Sequence, residues 1–367
     1  MTAPLRVAVL GAGTVGREVV RALLERGEAL RTADGAPLLL AGVAVRDVAG
    51  AVAGGIPDVL LSDAPAHLVA APEVDVVVEL LGGDEPARTL IAAALGAGKP
   101  VVTANKHVLA HHGHELEAIA RRTGAALRFE AAVGGGIPVL TPLAAELASN
   151  RIERVRGIVN GTTNYILDQM DDGASYADAL ASAQRAGYAE ADPTADVEGL
   201  DAVNKLVILA RLSFGTWLGP GDIPNRNGDD PPGITGVTPA DLVAAHEAGL
   251  AIKLVADAAR GEAGSRDTIA AGVSVAAMSQ WSQLAWIGGV TNCIEVDAAP
   301  LGRVGFTGPG AGGPATASAV LGDLLAIARG GGSTWAGLPE AGRGRVTGLA
   351  RAETFEAPSG VRYPVIP

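Results

Sequence analysis

The chain holds a single cysteine, Cys293, so no intramolecular disulfide can form, and the composition suits a reducing compartment. Aromatic residues make up only 3% of its 367 residues. With 48% hydrophobic residues the interior must be assembled from Ala, Val, Leu and Ile, and 50 glycines are available for turns and close backbone approaches. Basic residues are in deficit: 28 Lys and Arg face 40 Asp and Glu, for a net charge of −12. Such a field repels nucleic acid and anionic membranes, which leaves small-molecule chemistry as the class to examine. Met1–Leu10 contains no long apolar signal segment, and a cytoplasmic location is expected. One uncharged stretch, Thr268–Ile294, is long enough to cross a bilayer. Ser274, Ser279, Gln280, Ser282, Gln283, Thr291 and Asn292 interrupt it, so it is expected to be buried in a soluble fold.

The length favours two domains. In the first third, apolar runs at Leu5–Leu10, Leu38–Val45, Val74–Leu80 and Pro100–Thr103 alternate with helical patterns at Val15–Arg26 and Glu85–Gly98. That alternation predicts an α/β fold, a Rossmann-type doubly wound parallel sheet. From Ala125 the character changes to a second, α+β region. Strands are predicted at Leu127–Val133, Arg154–Val159, Ile252–Ala259 and Val290–Val296, with helices at Thr141–Ser149, Tyr176–Ala186, Gly199–Leu212 and Pro239–Gly249. Asn225–Gly233 reads as a polar loop, and Thr316–Ala328 as a helix returning to the first domain. The expected division is residues 1–133 completed by about 308–330, residues 134–307, and a tail of 331–367 read as an arm or loop.

Gly11-Ala12-Gly13-Thr14-Val15-Gly16 directly follows the first strand and opens a helix. Gly11 permits a tight turn, Gly13 lets a pyrophosphate approach the backbone, and Gly16 lets helix and strand pack closely. The helix N-terminus then offers N–H groups and partial positive charge to phosphate. At the end of the second strand Arg46 precedes Asp47. An acid there reads the ribose of NAD, whereas an arginine accommodates the 2′-phosphate of NADP, so NADP is favoured and NAD stays open. A solvated charge pair in a turn is the plainer alternative.

Four further segments exceed what folding alone requires. They are Thr103-Ala104-Asn105-Lys106 at a strand end, Glu130–Pro138, Asn160–Tyr165, and the acidic run Gly187–Lys205. In the last, Glu190, Asp192, Asp196, Glu198 and Asp201 crowd together, and Asp201 and Lys205 stand at i and i+4 on one helix face. Carboxylates can hold a substrate ammonium, and a lysine among them can carry a proton. The residues alone also allow a dipole-favouring acidic turn and an ordinary surface ion pair.

Taken in order, these segments resemble homoserine dehydrogenase from Arg6 to about Arg329: the fingerprint, "TANK", "EAAVGGGIP", "NGTTNYIL", "GYAEADPTADVEGLDAVNKL" and "GPGAGG". The resemblance implies interconversion of L-homoserine and L-aspartate 4-semialdehyde in threonine, methionine and isoleucine biosynthesis, by a homodimer whose second domain binds substrate. It implies Lys205 as the proton-transfer lysine, Asp201 as its neighbouring acid, and Lys106 as a second lysine near substrate and cofactor. It assigns substrate contacts to Glu190, Asp196, Gly161 and Thr162, and a late cofactor contact to Gly312. Glu130 with the carbonyls of Val133, Gly135 and Ile137 matches a site for a monovalent cation, sodium by the hardness of its oxygen donors, and the glycine run could equally be only a domain hinge.

The residues after Ala328 are too few for a threonine-sensing domain, and none is expected. His107, His111, His112 and His114 lack an evident partner for a zinc site and read as an incidental helix face. Cys293 reads as a core residue and not a nucleophile, and Trp281 and Trp286 as core or interface fillers. Two rivals stay open: another small amino-acid dehydrogenase, and a nucleotide-binding protein without catalysis. The second would be expected to lack Lys106, Glu190, Asp201 or Lys205, and all four are present.

Overall fold

The computed structural model describes residues 3–226, 228, 230–261, 268–349 and 353–366. Met1, Thr2, Asn227 and Asp229 of the expected polar loop, and parts of the tail lie outside the described residues. Chain contacts divide the molecule into two compact units, Met1–Glu146 with Ala311–Glu340, and Leu147–Gly310 with Ala341–Pro367.

The first unit runs β1 (Leu5–Leu10), α1 (Thr14–Arg26), β2 (Leu38–Ala44), α2 (Val48–Ala53), β3 (Leu61–Ser62), α3 (Pro65–Ala70), β4 (Val76–Glu79), α4 (Ala87–Gly96), β5 (Val101–Thr103), α5 (Lys106–Thr123), β6 (Leu127–Arg128) and α6 (Leu140–Ala144). Its six strands form a parallel sheet in the order β3-β2-β1-β4-β5-β6. Such a sheet is covered on both faces, which is why its strands read as apolar runs without alternation. Val7, Val9, Val76, Val78 and Val102 join Val19, Val20 and Leu23 of α1 in one core. Ala317, Val320 and Leu324 of the returning helix Gly313–Ala328 complete it. Leu10 pairs with Glu79, and Glu79 with Thr103, so three carboxyl ends finish level at one edge.

The second unit is built on a mixed eight-stranded sheet. Its first elements are β7 (Arg151–Ile158), α7 (Gly161–Asp171), α8 (Tyr176–Arg185), α9 (Thr194–Val197), α10 (Leu200–Phe214), α11 (Pro239–Glu247), β8 (Leu250–Arg260), β9 (Thr268–Ser279), β10 (Thr291–Ala299) and β11 (Gly302–Pro309). After the returning helix come β12 (Arg345–Thr347), β13 (Thr354–Glu356) and β14 (Arg362–Ile366). The strand order is β11-β10-β7-β8-β9-β14-β13, with β12 also on β9. The helix α10 is buried from Asp201 to Phe214 except for the half-buried Asn204, charged residues included. Gly199, just before it, packs on Val273 and Leu254 of the sheet.

Three expectations need correction. The strand expected over Leu127–Val133 stops at Arg128, because Glu130–Ala132 turns as a 3₁₀ helix to bring the Glu130 carboxylate inward. That carboxylate accepts the N–H groups of Val139, Leu140 and Thr141 at 2.7–2.8 Å, which ties 134–146 to the first unit. The helix expected over Thr141–Ser149 is only Leu140–Ala144. The tail is strand, not arm: β14 adds in parallel to β9, and the Tyr363 hydroxyl donates to Asp241 at 3.0 Å. Thr268–Ile294 consists of β9, a short 3₁₀ turn and the start of β10. Among the described residues no helix is long and apolar enough to cross a membrane.

Candidate active site

In the first unit, the glycines behave as the fingerprint demands. Gly11 has φ +99°, and a Cβ there would meet the Leu80 carbonyl oxygen at 2.6 Å. A Cβ on Gly16 would fall 2.0 Å from the Gly11 oxygen. Gly13 differs: nothing lies within 4 Å of its would-be Cβ, so the backbone borders open space. It caps α1 with no side-chain hydrogen bond and no acid in the first turn, so the N–H groups of Thr14, Val15 and Gly16 have no intrahelical acceptor. The returning helix repeats the device. Gly312 caps it at φ +109° with open space about its Cβ position, and Gly313 packs on the Thr14 carbonyl. Two uncapped helix N-termini thus meet at the sheet's carboxyl edge, a donor set that fits a dinucleotide pyrophosphate.

Asp47 is engaged as the N-cap of α2, its carboxylate accepting the Gly50 N–H at 2.9 Å. Arg46 beside it is exposed and takes no ion-pair partner among the described residues. At the same edge Glu79 is fully buried, accepting the Thr103 hydroxyl at 2.6 Å and the Leu81 N–H at 2.8 Å. Burial pushes its carboxyl above the ordinary range, although these donors pull the other way. Thr103 also accepts the Asn105 N–H, and the Asn105 side chain caps α5 through Val108 N–H. Lys106, half-buried, therefore starts α5 in a fixed place. Glu79 was not singled out in the sequence, and Asn105 only as part of the Thr103–Lys106 segment. Glu79 is hidden in an apolar run, whereas an asparagine before a helix is a readable cap.

In the second unit, Lys205 is buried in α10, its Nζ 2.7 Å from Asp201 and donating to the Val159 carbonyl at 2.5 Å. Asn160 joins the acids: its Nδ2 donates to Asp201 at 2.8 Å and to Asp196 at 2.7 Å. Its Oδ1 meanwhile accepts Thr163 N–H and so caps α7. Asn160 is the organising residue that the motif contained but the sequence reading passed over. Gly161, first in α7, packs so closely on Val290 that a Cβ would lie 2.8 Å from its oxygen. The Thr162 hydroxyl donates to the Tyr188 carbonyl at 2.7 Å, holding the turn that leads to Glu190. Glu190 itself is exposed, and its carboxylate takes no partner among the described residues. The structure thus gathers Lys205, Asp201, Asp196 and Gly161 around Asn160, and leaves Glu190 outside that hydrogen-bonded group.

The expected cation site changes character. Both Glu130 carboxylate oxygens are taken, by three N–H groups and the Thr141 hydroxyl at 2.5 Å. Consecutive left-handed glycines, Gly134 and Gly135, turn the chain here, and Ile137 N–H closes onto Gly134. Four donors thus engage the lone pairs of the Glu130 carboxylate. Among the described residues no group of three or more His, Cys, Asp or Glu is placed to hold a metal ion. His107 and His111 stack at 4.2 Å, and His112 meets Asp84 at 2.9 Å. Cys293 is fully buried and accepts the Thr307 hydroxyl; burial raises its thiol, which makes it inert. Trp281 and Trp286 are not core residues: they are 77% and 71% exposed. They border a cavity of about 360 Å³ with Asp168, His246 and Lys253, away from the Lys205 group.

Residues 11–130 match the family model described as homoserine dehydrogenase, NAD binding domain, and residues 138–325 match the homoserine dehydrogenase model. A homoserine dehydrogenase of Mycobacterium tuberculosis (strain H37Rv) is 49% identical over 329 residues, 89% of this chain and 73% of the relative. A solved homoserine dehydrogenase from Thiobacillus denitrificans superposes with a TM-score of 0.86 at 38% identity, over 94% of this chain and 80% of that one. A hyperthermophilic archaeal homoserine dehydrogenase in complex with NADPH gives a TM-score of 0.71 at 27% identity, over 89% of this chain and 97% of that one. Likeness of this extent across both units reflects common descent: the chain belongs to the homoserine dehydrogenase family.

Proposed function

We propose that the chain interconverts L-homoserine and L-aspartate 4-semialdehyde with Lys205 as the proton carrier. The observation that carries this reading is the buried Lys205–Asp201 pair, fixed further by Val159 and Asn160. A nicotinamide, when bound, accepts or returns the hydride at the substrate carbon. The Lys205 amine takes the hydroxyl proton in oxidation, and the ammonium returns it to the forming alkoxide in reduction. Asp201 holds the amine in place while negative charge develops on the substrate oxygen. Asp196 and the exposed Glu190 supply carboxylates for the substrate ammonium, and Gly161 and Thr162 supply N–H groups at the start of α7. Lys106, at the carboxyl edge of the parallel sheet, assists at the cofactor.

Gly11, Gly13, Thr14, Val15, Gly16 and Gly312 hold the pyrophosphate. Arg46 selects NADP, since Asp47 is engaged as a helix cap and the guanidinium beside it is exposed. A monovalent ion, if bound, rests on carbonyls of Glu130, Val133, Gly135 and Ile137 and not on the Glu130 carboxylate. The working form is a homodimer in the cytoplasm, a reading supported by the exposed tryptophans and the lone buried cysteine.

The test is absorbance at the reduced-nicotinamide band with L-homoserine and either NADP or NAD. Homoserine-dependent reduction is expected, faster with NADP, and Arg46→Ala should lower the NADP-to-NAD ratio about tenfold. No reduction with either cofactor, nor oxidation with aspartate semialdehyde, would sink the catalytic reading. A ratio unchanged by Arg46→Ala would remove Arg46 from cofactor choice.

A further inference from the structure

Asn292 lies near the start of β10, wholly out of solvent, and neither atom of its carboxamide has a hydrogen-bond partner. A buried amide left unmet carries a desolvation cost that an apolar residue of like shape would avoid. Its surroundings are well defined. Cys293 pairs with Ile158, and Gly161 packs on Val290, so Asn292 runs beside Val159 and Asn160. Those two residues receive and orient the Lys205–Asp201 pair. On the other flank Asn292 pairs with Gly308, and its amide lies against Gly310, where a Cβ would fall 2.1 Å from it. Gly308-Pro309-Gly310 is the last run of the second unit before the chain passes, at Gly310/Ala311, into the first. Two residues on stands Gly312, the left-handed cap of the returning helix.

We propose that Asn292 is a positioning residue whose carboxamide latches the Gly308–Gly310 run in a second arrangement adopted when ligands bind. In that arrangement the amide exchanges hydrogen bonds with the Gly310 peptide, and the glycines at 308 and 310 supply the backbone freedom to reach it. The latch fixes the lead-in to Gly312 and does not touch the reacting atoms. The inference rests on the proposed reaction for its kinetic readout only.

Two experiments test it. Asn292→Val removes the amide at nearly constant volume. Thermal and urea midpoints are expected at or above wild type, while kcat for homoserine oxidation falls at least tenfold with KM for homoserine within twofold. Wild-type kcat in that variant overturns the proposal, and so does a lowered midpoint, because the amide would then be bonded in the resting fold. The second experiment needs no variant: hydrogen exchange of the peptide spanning 308–312, in wild-type protein with and without NADP. At least tenfold slower exchange with NADP is expected, and equal exchange overturns the latch. Absence of wild-type turnover would count against the proposed reaction alone, since the exchange comparison stands without it.

Discussion

Lys205 is a long cation buried in α10, and that placement is costly unless partners hold its charge. Asp201 one turn earlier and the Val159 carbonyl hold it, so mutation of the lysine should separate chemistry from binding. Lys205→Ala is expected to lower kcat by about 10² to 10⁴, the range for losing a positioned proton carrier. Cofactor affinity, followed by quenching of tryptophan emission on titration with NADP, should stay at the wild-type value. A variant with undiminished kcat would transfer the role to Lys106. The spacing of Asp201 and Lys205 was readable because i and i+4 share a helix face whatever else packs around it. Asn160 was not readable in its full role, because its donation to two acids depends on where α7 and α10 lie in space. Nor was the state of Glu130. The resemblance implied an ion site there, and that the N–H groups of Val139, Leu140 and Thr141 surround the carboxylate is visible only in the fold.

Among the elements, four of the parallel strands, β1, β2, β4 and β5, were the most legible as apolar runs, whereas the two-residue edge strand β3 (Leu61–Ser62) gave no such run and was missed. The predicted Leu5–Leu10 agrees with β1 to the residue. The tail strands β12–β14 were missed for the opposite reason. They are short; β12 and β14 are recruited by β9 and β13 by β14, so their pairing is a tertiary matter with little local signal. The short strand β6 ends in a bracket of the same kind. Arg128 donates to Asp323 at 2.7 Å, and the Glu130 N–H donates to its other oxygen at 2.7 Å. Burial still outweighs both and raises the Asp323 carboxyl to about 6. A carboxyl whose folded pKa exceeds its unfolded one binds its proton more tightly when folded. Its stabilising contribution is therefore complete below the unfolded value of 3.8 and is lost as pH rises through about 6. A shift of this size corresponds to about 3 kcal/mol. Relative to Asp323→Asn, which does not titrate, wild-type stability from urea unfolding should fall by up to that amount between pH 4 and pH 7. A constant difference across the range would show that Arg128 keeps the carboxylate ionised throughout.

At the scale of the molecule, a chain with so few aromatic residues leaves two tryptophans in the open. Trp281 precedes and Trp286 ends the 3₁₀ turn Leu284–Trp286; both border the same cavity and keep most of their surface in water. Exposed indoles in one patch are what an interface between subunits buries, because they bring large apolar area at small entropic cost. The neighbouring ion pair does not compete for that role. Lys253 is held by Asp168, Asn164 and the Ile287 carbonyl, so the cavity floor is already neutralised and presents the partner with aromatic surface. If the homodimer closes over this face, the patch meets its own copy across a two-fold axis, and one substitution is felt twice. Sedimentation of wild-type protein is then expected to show a dimer, and Trp281→Arg or Trp286→Arg a shift to monomer at the same concentration. Arginine suits the test because a pair of like charges brought together by the axis repels, whereas an exposed arginine on a monomer costs the fold little. Dimers that survive both substitutions would move the interface elsewhere on the second unit and leave the cavity open to a small ligand.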